Sequence, residues 1–271
     1  MIEVKQISKR FPLKDAKLVN KVANDDPRVK GRFFNVLNNV SFHCQQGEVL
    51  GLLGANGAGK TSILRTLSTA LTPNSGHVLY EGLDAHENKL AIRKNIGFLS
   101  GTTGLYERLT GRENLAYFAK LYGVKDNDFK RVLDELTEQL GMASFLDRRF
   151  SDFSTGMKQK IAIARAVIHE PKVIIFDEPT TGLDIAASEV VLSFMTRLKE
   201  QGTPIIFSTH HLAEVERLCD RVCIIHQGEA KFEGSIDELN HLTGHDILQK
   251  SILSVMSNNV MTNPIAQDVP A

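Results

Sequence analysis

The sequence has no surplus of charge of either sign. Lys plus Arg number 32 and Asp plus Glu number 32, so no basic excess argues for nucleic acid or for an anionic membrane. Cysteine is scarce, with Cys44, Cys219 and Cys223 the three present. They form no CxxC pair and no metal-ligand spacing, and an odd count fits reduced cytosolic thiols better than a disulfide framework. Cys219 and Cys223, four apart, read as packing residues. No apolar run approaches the ~20 residues needed to cross a bilayer. The N-terminal "MIEVKQISKRF" lacks the apolar core of a signal peptide. The chain is therefore not expected to span a membrane, which leaves open its attachment to a protein that does. No internal repeat and no heptad run is present.

What is there is an ordinary globular composition, 42% hydrophobic and 24% charged over 271 residues. That is enough for one large domain, or for a domain with a subdomain. Short β-rich apolar runs alternate with longer helical periodicity, which predicts an α/β fold with a largely parallel sheet. Strands are expected at Ile2–Val4, Val36–Phe42, Val49–Leu53, His77–Tyr80, Ile96–Leu99, Val173–Phe176, Ile205–Ser208, Val222–His226 and Glu229–Glu233. Helices are expected at Lys60–Ala70, Gly111–Tyr122, Asn127–Leu140, Thr155–His169, Ile185–Glu200 and His211–Cys219. The long helical stretch between Ile96–Leu99 and Val173–Phe176 reads as an inserted helical subdomain, about residues 100–170.

Two segments stand apart. Residues 12–32 are polar and basic-biased, and read as a solvated loop inserted between two strands; contact with a partner or with lipid headgroups is the alternative. The tail from about Ser257 has a disordered composition. Before it, "HDILQKSILSVM" reads as an amphipathic helix covering the core.

Val49–Leu53 runs into Gly54-Ala55-Asn56-Gly57-Ala58-Gly59-Lys60-Thr61. This fits G-x-x-x-x-G-K-[ST] in the strand–loop–helix context it requires. Successive backbone N–H groups there can wrap the β- and γ-phosphates of a nucleotide, and Lys60 adds a point charge. The Thr61 hydroxyl can ligate Mg²⁺, with Ser62 beside it. A second apolar strand ends in Asp177-Glu178-Pro179. Parallel-sheet ligands gather at the carboxyl ends of strands. Asp177 therefore suits the Mg²⁺ shell, and Glu178 can orient and deprotonate an attacking water. A third strand ends in Thr209-His210-His211, where His210 can hold the water or polarise the γ-phosphate. His211 competes for that role but more naturally begins the next helix. Finally, "DFSTGMKQKIAIARA" looks like a second anion-facing helix start, capped by Ser154 or Thr155 and opened by Gly156. Lys158 and Lys160 in its first turn read as surface charge.

This ordered set resembles the nucleotide-binding subunit of ABC transporters, from Ile2 to about Leu242. The resemblance implies a P-loop ATPase domain over 1–242 with a parallel core sheet, an antiparallel β part and the inserted helical subdomain. Residues 243–271 would be a C-terminal extension. It implies ATP and Mg²⁺ as ligands, and Phe153-Ser154-Thr155-Gly156-Met157 as the signature turn that meets the nucleotide of a second copy. Asp184 would be the communicating D-loop residue, and an aromatic would stack on adenine: Phe11, with Phe33 and Phe34 as rivals. Where the family usually has Gln, this chain has Gly101, and Ser100, Thr102, backbone or water would have to substitute.

The resemblance further implies a head-to-tail pair of ATPase domains, a homodimer if both copies are this chain. It also implies a transmembrane permease and a cytoplasmic location, peripheral on the membrane through that permease. The permease would dock near "LYERLTGRENLAYFAKLYG", where Tyr106, Leu109, Leu115, Tyr117 and Phe118 are apolar and Arg108 and Glu113 charged. The signature variant and the "GFLSGTTGLYERLT" loop look most like the sodium-efflux (NatA-type) ABC ATPases. Export of drugs, antibiotics or lipids is the near alternative. An ABC ATPase acting on nucleic acid or the ribosome is the alternative of another class, disfavoured by the single cassette and the balanced charge.

Overall fold

The structure, a computed structural model, describes residues 1–13, 26–100 and 104–257. It forms two compact units. One takes in residues 1–45, 50–89 and 210 onward; the other takes in 46–49 and 90–209.

The first unit opens with β1 (Ile2–Pro12), which pairs antiparallel with β3 (Phe33–Cys44) and with β5 (Ser75–Tyr80). β2 (Val29–Lys30) edges β3 and β6 (Leu83–Asp84) edges β5, giving the order β2-β3-β1-β5-β6. β1 is far longer than its expected three residues. Its in-out alternation breaks where the register shifts between Val4 and Ile7, at Gln6 with φ +53°. A bulge of this kind hides the second half of a strand from a period-two reading. The end of the 12–32 segment is also corrected. Val29 and Lys30 pair with Phe34 and Phe33, so this part is a strand edge rather than a solvated loop. Lys14, Lys17 and Lys21 of that segment's basic run lie outside the described residues.

In the same unit β4 (Val49–Leu53) pairs parallel with β10 (Arg221–His226), which pairs antiparallel with β11 (Glu229–Ser235). All five β4 residues are buried, as expected of a continuous apolar run in a parallel strand. Helix α1 (Lys60–Leu67) follows β4, and Thr69 at φ +62° stops it three residues before the expected end. Helices α7 (Leu212–Leu218), α8 (Ile236–Thr243) and α9 (Leu248–Met256) complete the unit. The α9 residues Leu248, Ile252 and Val255 join Leu53, Val215, Val222, Ile224 and Leu239 in one buried cluster. The expected amphipathic helix therefore does cover core, while the tail beyond residue 257 lies outside the described residues.

The second unit is built on β7 (Ile96–Ser100), β8 (Val173–Asp177) and β9 (Ile205–Ser208), all parallel in that order. The short α2 (Lys89–Arg93) leads into it. Between β7 and β8 come α3 (Gly111–Tyr122), α4 (Asp126–Gln139), a 3₁₀ turn at Phe150–Asp152 and α5 (Thr155–Val167). Helix α6 (Ile185–Glu200) crosses over from β8 to β9. α3 starts where Thr110 and Glu113 close a reciprocal capping box, which satisfies two otherwise orphaned N–H groups. Gly111 is needed because a Cβ there would lie 2.9 Å from the Leu146 carbonyl oxygen. α5 ends two residues before its expected stop, and Glu170 at φ +49° turns the chain out toward β8.

Candidate functional site

β4 delivers the chain into the loop Gly54–Gly59, and α1 begins at Lys60. Gly54 has φ +151°, and a Cβ there would sit 2.2 Å from the Ile225 carbonyl oxygen. Gly59 has φ +118° with Val36 O 3.0 Å from its ideal Cβ. Both positions therefore admit only glycine. The β10–β11 turn buttresses the loop from below: Gly228 N–H donates to Ala58 O at 2.9 Å, and Asn38 N–H donates to Gly228 O at 2.8 Å. Lys60 is buried, and its Nζ donates to Gly54 O at 2.7 Å and Ala55 O at 3.2 Å. Ala55, Asn56, Gly57 and Thr61 are exposed, with Ser62 half-buried. The result is a helix N-terminus fronted by an open arm of backbone, which is a ready anion site.

In the second unit three parallel strands end level, with Ser100 opposite Asp177 and Asp177 opposite Ser208. Ser208 is fully buried; its hydroxyl donates to Asp177 Oδ1 at 2.6 Å and accepts the Glu178 N–H at 3.0 Å. Glu178 occupies the left-handed region at φ +49°. This is a costly place for a non-glycine residue, and it persists only when its surroundings over-determine it. Here the Glu178 N–H is also held by Ser208 O at 3.1 Å, and its Oε2 accepts the Thr181 hydroxyl at 2.9 Å. Both carboxylates are half-buried at the strand end. The Ser208 and Thr181 contacts escape a sequence reading. The signal for Ser208 was its place as the last residue of an apolar strand.

The signature turn sits on α5. Ser154 is its N-cap and accepts the Met157 N–H at 3.3 Å, while Thr155 is the first helical residue. Phe153 is buried, packed on Phe145 and Phe150 with ring centroids 5.1 and 5.4 Å apart. It anchors the turn from inside and does not present itself to a partner. A Cβ on Gly156 would make ordinary contacts only, 3.7 Å to Ala187 and 3.9 Å to Leu183. Met157 is half-buried. Lys158 places its Nζ 5.5 Å over the Phe150 ring, and burial pulls the Lys160 ammonium below its usual pKa against the opposing charge of Asp184. Gln159 Nε2 donates to Pro179 O at 2.7 Å, which ties this helix to the Asp-Glu-Pro turn. Asp184 caps α6 through the Ala187 N–H at 2.7 Å.

His210, in the first unit, is exposed, with its ring 4.0 Å from that of His211. His211 is the N-cap of α7, as expected. Phe11 is 42% exposed and Phe33 37%, while Phe34 is half-buried opposite Phe11. Gly101 and Thr102 lie outside the described residues. In the expected docking region Leu115 is core and Glu113 closes the α3 cap, whereas Tyr106 and Tyr117 are exposed, edge to face at 5.0 Å.

Strand, glycine loop and lysine-led helix, in a chain whose other parallel strands end in Asp-Glu and near a histidine, define a P-loop nucleotide-binding protein. The family model for ABC transporter matches residues 37–181. The chain is 43% identical to the ABC transporter ATP-binding protein NatA of Bacillus subtilis (strain 168), over 78% of this chain and 86% of that protein. It is 38% identical to the Nod factor export ATP-binding protein I of Rhizobium sp. (strain N33), over 80% of this chain and 72% of that protein. A solved ATP binding subunit of an ABC transporter superposes with a TM-score of 0.80 at 30% identity, covering 94% of this chain and 99% of that one. The chain belongs to the ABC transporter family, as its ATP-binding component, an ATPase that powers transport.

Proposed function

We propose that this ATPase works as a homodimer on a separate membrane permease and drives export, with Na⁺ as the cargo. Among the described residues no helix is long and apolar enough to cross a membrane, so the transport path belongs to the permease. The protein is held at the cytosolic face of the membrane through it. Residues 1–242 are the ATP-binding domain, with about 100–170 as its helical subdomain and 243–271 as an extension.

The roles follow from the side chains. The Gly54–Gly59 amides and Lys60 take the β- and γ-phosphates, with Thr61 and Ser62 beginning the helix beneath them. Phe11 stacks on adenine. Thr61 and Asp177 would hold Mg²⁺. Each offers an oxygen, the ligand type that ion takes, and among the described residues no group of three or more His, Cys, Asp or Glu could hold a metal ion. Mg²⁺ is bound through one or two protein oxygens plus substrate phosphates and water, not by a protein cage. Bound there, it neutralises charge developing on the transferred phosphoryl group. Glu178 orients the water and takes its proton, and His210 holds the reacting groups. Asp184 passes the state of one site to the other.

The observation that carries the dimer is Gly156. The fold itself does not need a glycine there, since a Cβ would meet only ordinary contacts. Ser154 beside it is exposed at a helix N-terminus. A second copy's γ-phosphate accounts for both, with Phe153, Thr155 and Met157 shaping the turn. Closure with ATP and separation after hydrolysis follow, because half of the ligand-mediated interface leaves with the γ-phosphate.

The relative named for Nod factor export favours a second reading, in which the exported cargo is a drug, an antibiotic or a lipid rather than Na⁺. Mild-detergent extraction of the tagged protein tests the first step: a multi-span membrane protein should co-purify. Recovery solely in ribosomal or DNA-bound complexes would end the transporter reading. ATP-driven Na⁺ flux in vesicles holding the pair then decides between the cargoes.

A further inference from the structure

In the stretch between β1 and β3, Arg28 among the described residues reaches the phosphate loop. Arg28 Nη1 donates to the Gly57 carbonyl at 2.7 Å, in the middle of the loop's exposed arm. The guanidinium is not free to wander. Its Nε and Nη2 fork onto the Asp26 carboxylate at 2.9 and 2.6 Å, and its Cζ lies over the Phe34 ring, 4.6 Å from the centroid. Asn35 Nδ2 donates to Arg28 O at 2.9 Å, and the Asn35 N–H does the same at 2.9 Å. Backbone, carboxylate and aromatic face thus fix the arginine before it meets the loop. The Arg28 side chain is only 18% exposed.

A peptide unit is planar, so holding a carbonyl fixes the direction of the next N–H. The Gly57 carbonyl shares its plane with the Ala58 N–H, which donates to Ala55 O at 3.1 Å within the loop. Gly57 itself has φ +78° and nothing within 4 Å of its ideal Cβ. Nothing packs on Gly57 from the side-chain direction, and among the described residues Arg28 is the side chain that donates to its carbonyl, while Lys60 holds the Gly54 and Ala55 carbonyls at the loop's start. Asp26 and Arg28 each shift the other toward the charged form, mainly through their mutual hydrogen bonds. The pair is therefore an ion pair of no net charge, and what it gives the loop is geometry rather than field.

We propose that Arg28 is a positioning residue for the nucleotide: clamped by Asp26 and Phe34, it holds the Gly57 carbonyl and presets the open arm of the phosphate loop for the triphosphate. The proposal rests on the ATP-binding reading of that loop. The aromatic Phe34 acts as the seat of the arginine, which separates it from Phe11 on the neighbouring strand.

The test measures the dissociation constant of a fluorescent ATP analogue with Mg²⁺ on the full chain, beside the thermal midpoint of each variant. Arg28→Ala should weaken binding about tenfold or more, the lower range for a hydrogen bond from a charged group, and the loss should appear in KM more than in kcat. Arg28→Lys keeps a donor but neither fork nor stack, and should fall between. Asp26→Asn distinguishes geometry from charge: loosening the clamp should weaken binding, whereas simple attraction by an unmasked arginine would tighten it. Phe34→Leu and Arg28→Lys carry the test if Arg28→Ala does not fold. Wild-type affinity in the Arg28 variants, with or without a lowered thermal midpoint, overturns the proposal, as does tighter binding by Asp26→Asn. Failure of the wild-type chain to bind the analogue would instead overturn the reading of the loop itself.

Discussion

Ser208 donates its hydroxyl to Asp177 Oδ1 at 2.6 Å across adjacent parallel strands. An O–H to carboxylate bond this short is charge-assisted, and the Ser208 hydroxyl oxygen in turn accepts the Glu178 N–H. One buried serine thus orients the acid assigned to Mg²⁺ and fixes the backbone of the acid assigned as base. Ser208→Ala should cost about 1–3 kcal/mol of stability and raise the Mg²⁺ concentration needed for half-maximal turnover. ATP-analogue binding in EDTA should stay as in the wild type. A Mg²⁺ titration checks this; an unaltered requirement would remove Ser208 from the metal site.

Glu178→Gln keeps an oxygen for the Thr181 hydroxyl and the same backbone clamps, so the fold should survive. What disappears is the proton acceptor. Turnover should fall by about 10²–10⁴, the range of a general base, while ATP binding persists and the protein accumulates as a closed dimer. Steady-state ATPase and gel filtration with ATP test the two halves separately. Near-normal turnover would show that another group deprotonates the water.

The sequence was most legible where an element ends in side-chain chemistry. α3 and α6 have the expected bounds because Thr110 with Glu113, and Asp184, announce their starts. β4 and β9 were equally clear, as short apolar runs buried throughout and bounded by turns. The motif residues were legible because strand–loop–helix order gives Gly54–Thr61 one meaning. What stayed hidden depends on contacts between distant segments or on backbone strain. The bulge at Gln6 and the left-handed stops at Thr69 and Glu170 use residues that composition does not mark. Ser208 meets Asp177 31 residues away through strand register, and Arg28 meets Gly57 29 away through a contact between two loops. Phe153 belongs by motif to the turn that meets a second copy's nucleotide, but it is buried in the fold, where Phe145 and Phe150 pack on it.

Gly156→Ala should separate stability from function. The new methyl meets Ala187 and Leu183 at ordinary distances inside the first turn of α5. Removing a glycine from a helix stabilises it by about 0.5–1 kcal/mol. The thermal midpoint should therefore rise or hold, while ATP-dependent dimerisation and turnover fall, because the close approach of a second copy's phosphate is lost. Analytical ultracentrifugation of the variant with ATP reads the outcome. Undiminished dimer formation would place the interface elsewhere.

His169 makes stability depend on acidity. Its ring stacks on Tyr122 at 3.7 Å with planes 4° apart, and Nε2–H donates to the Ile96 carbonyl at 3.1 Å. Nδ1 is buried with no hydrogen-bond partner among the described residues, so a proton added there would gain no acceptor. Desolvation brings the pKa from its usual 6.5 down to about 4, with the Ile96 bond opposing. A histidine whose folded pKa lies below its unfolded value contributes stability that is whole above pH 6.5 and is lost as the pH falls toward 4. The unfolded chain binds the proton in that window and the native one does not. At roughly 1.4 kcal/mol per pKa unit, less an allowance for partial exposure, the loss is about 1–3 kcal/mol. His169→Phe retains an aromatic face for Tyr122 and removes the titration. Urea midpoints at pH 7 and pH 5 should converge in the variant and differ in the wild type; equal slopes in both would mean that other groups carry the acid sensitivity.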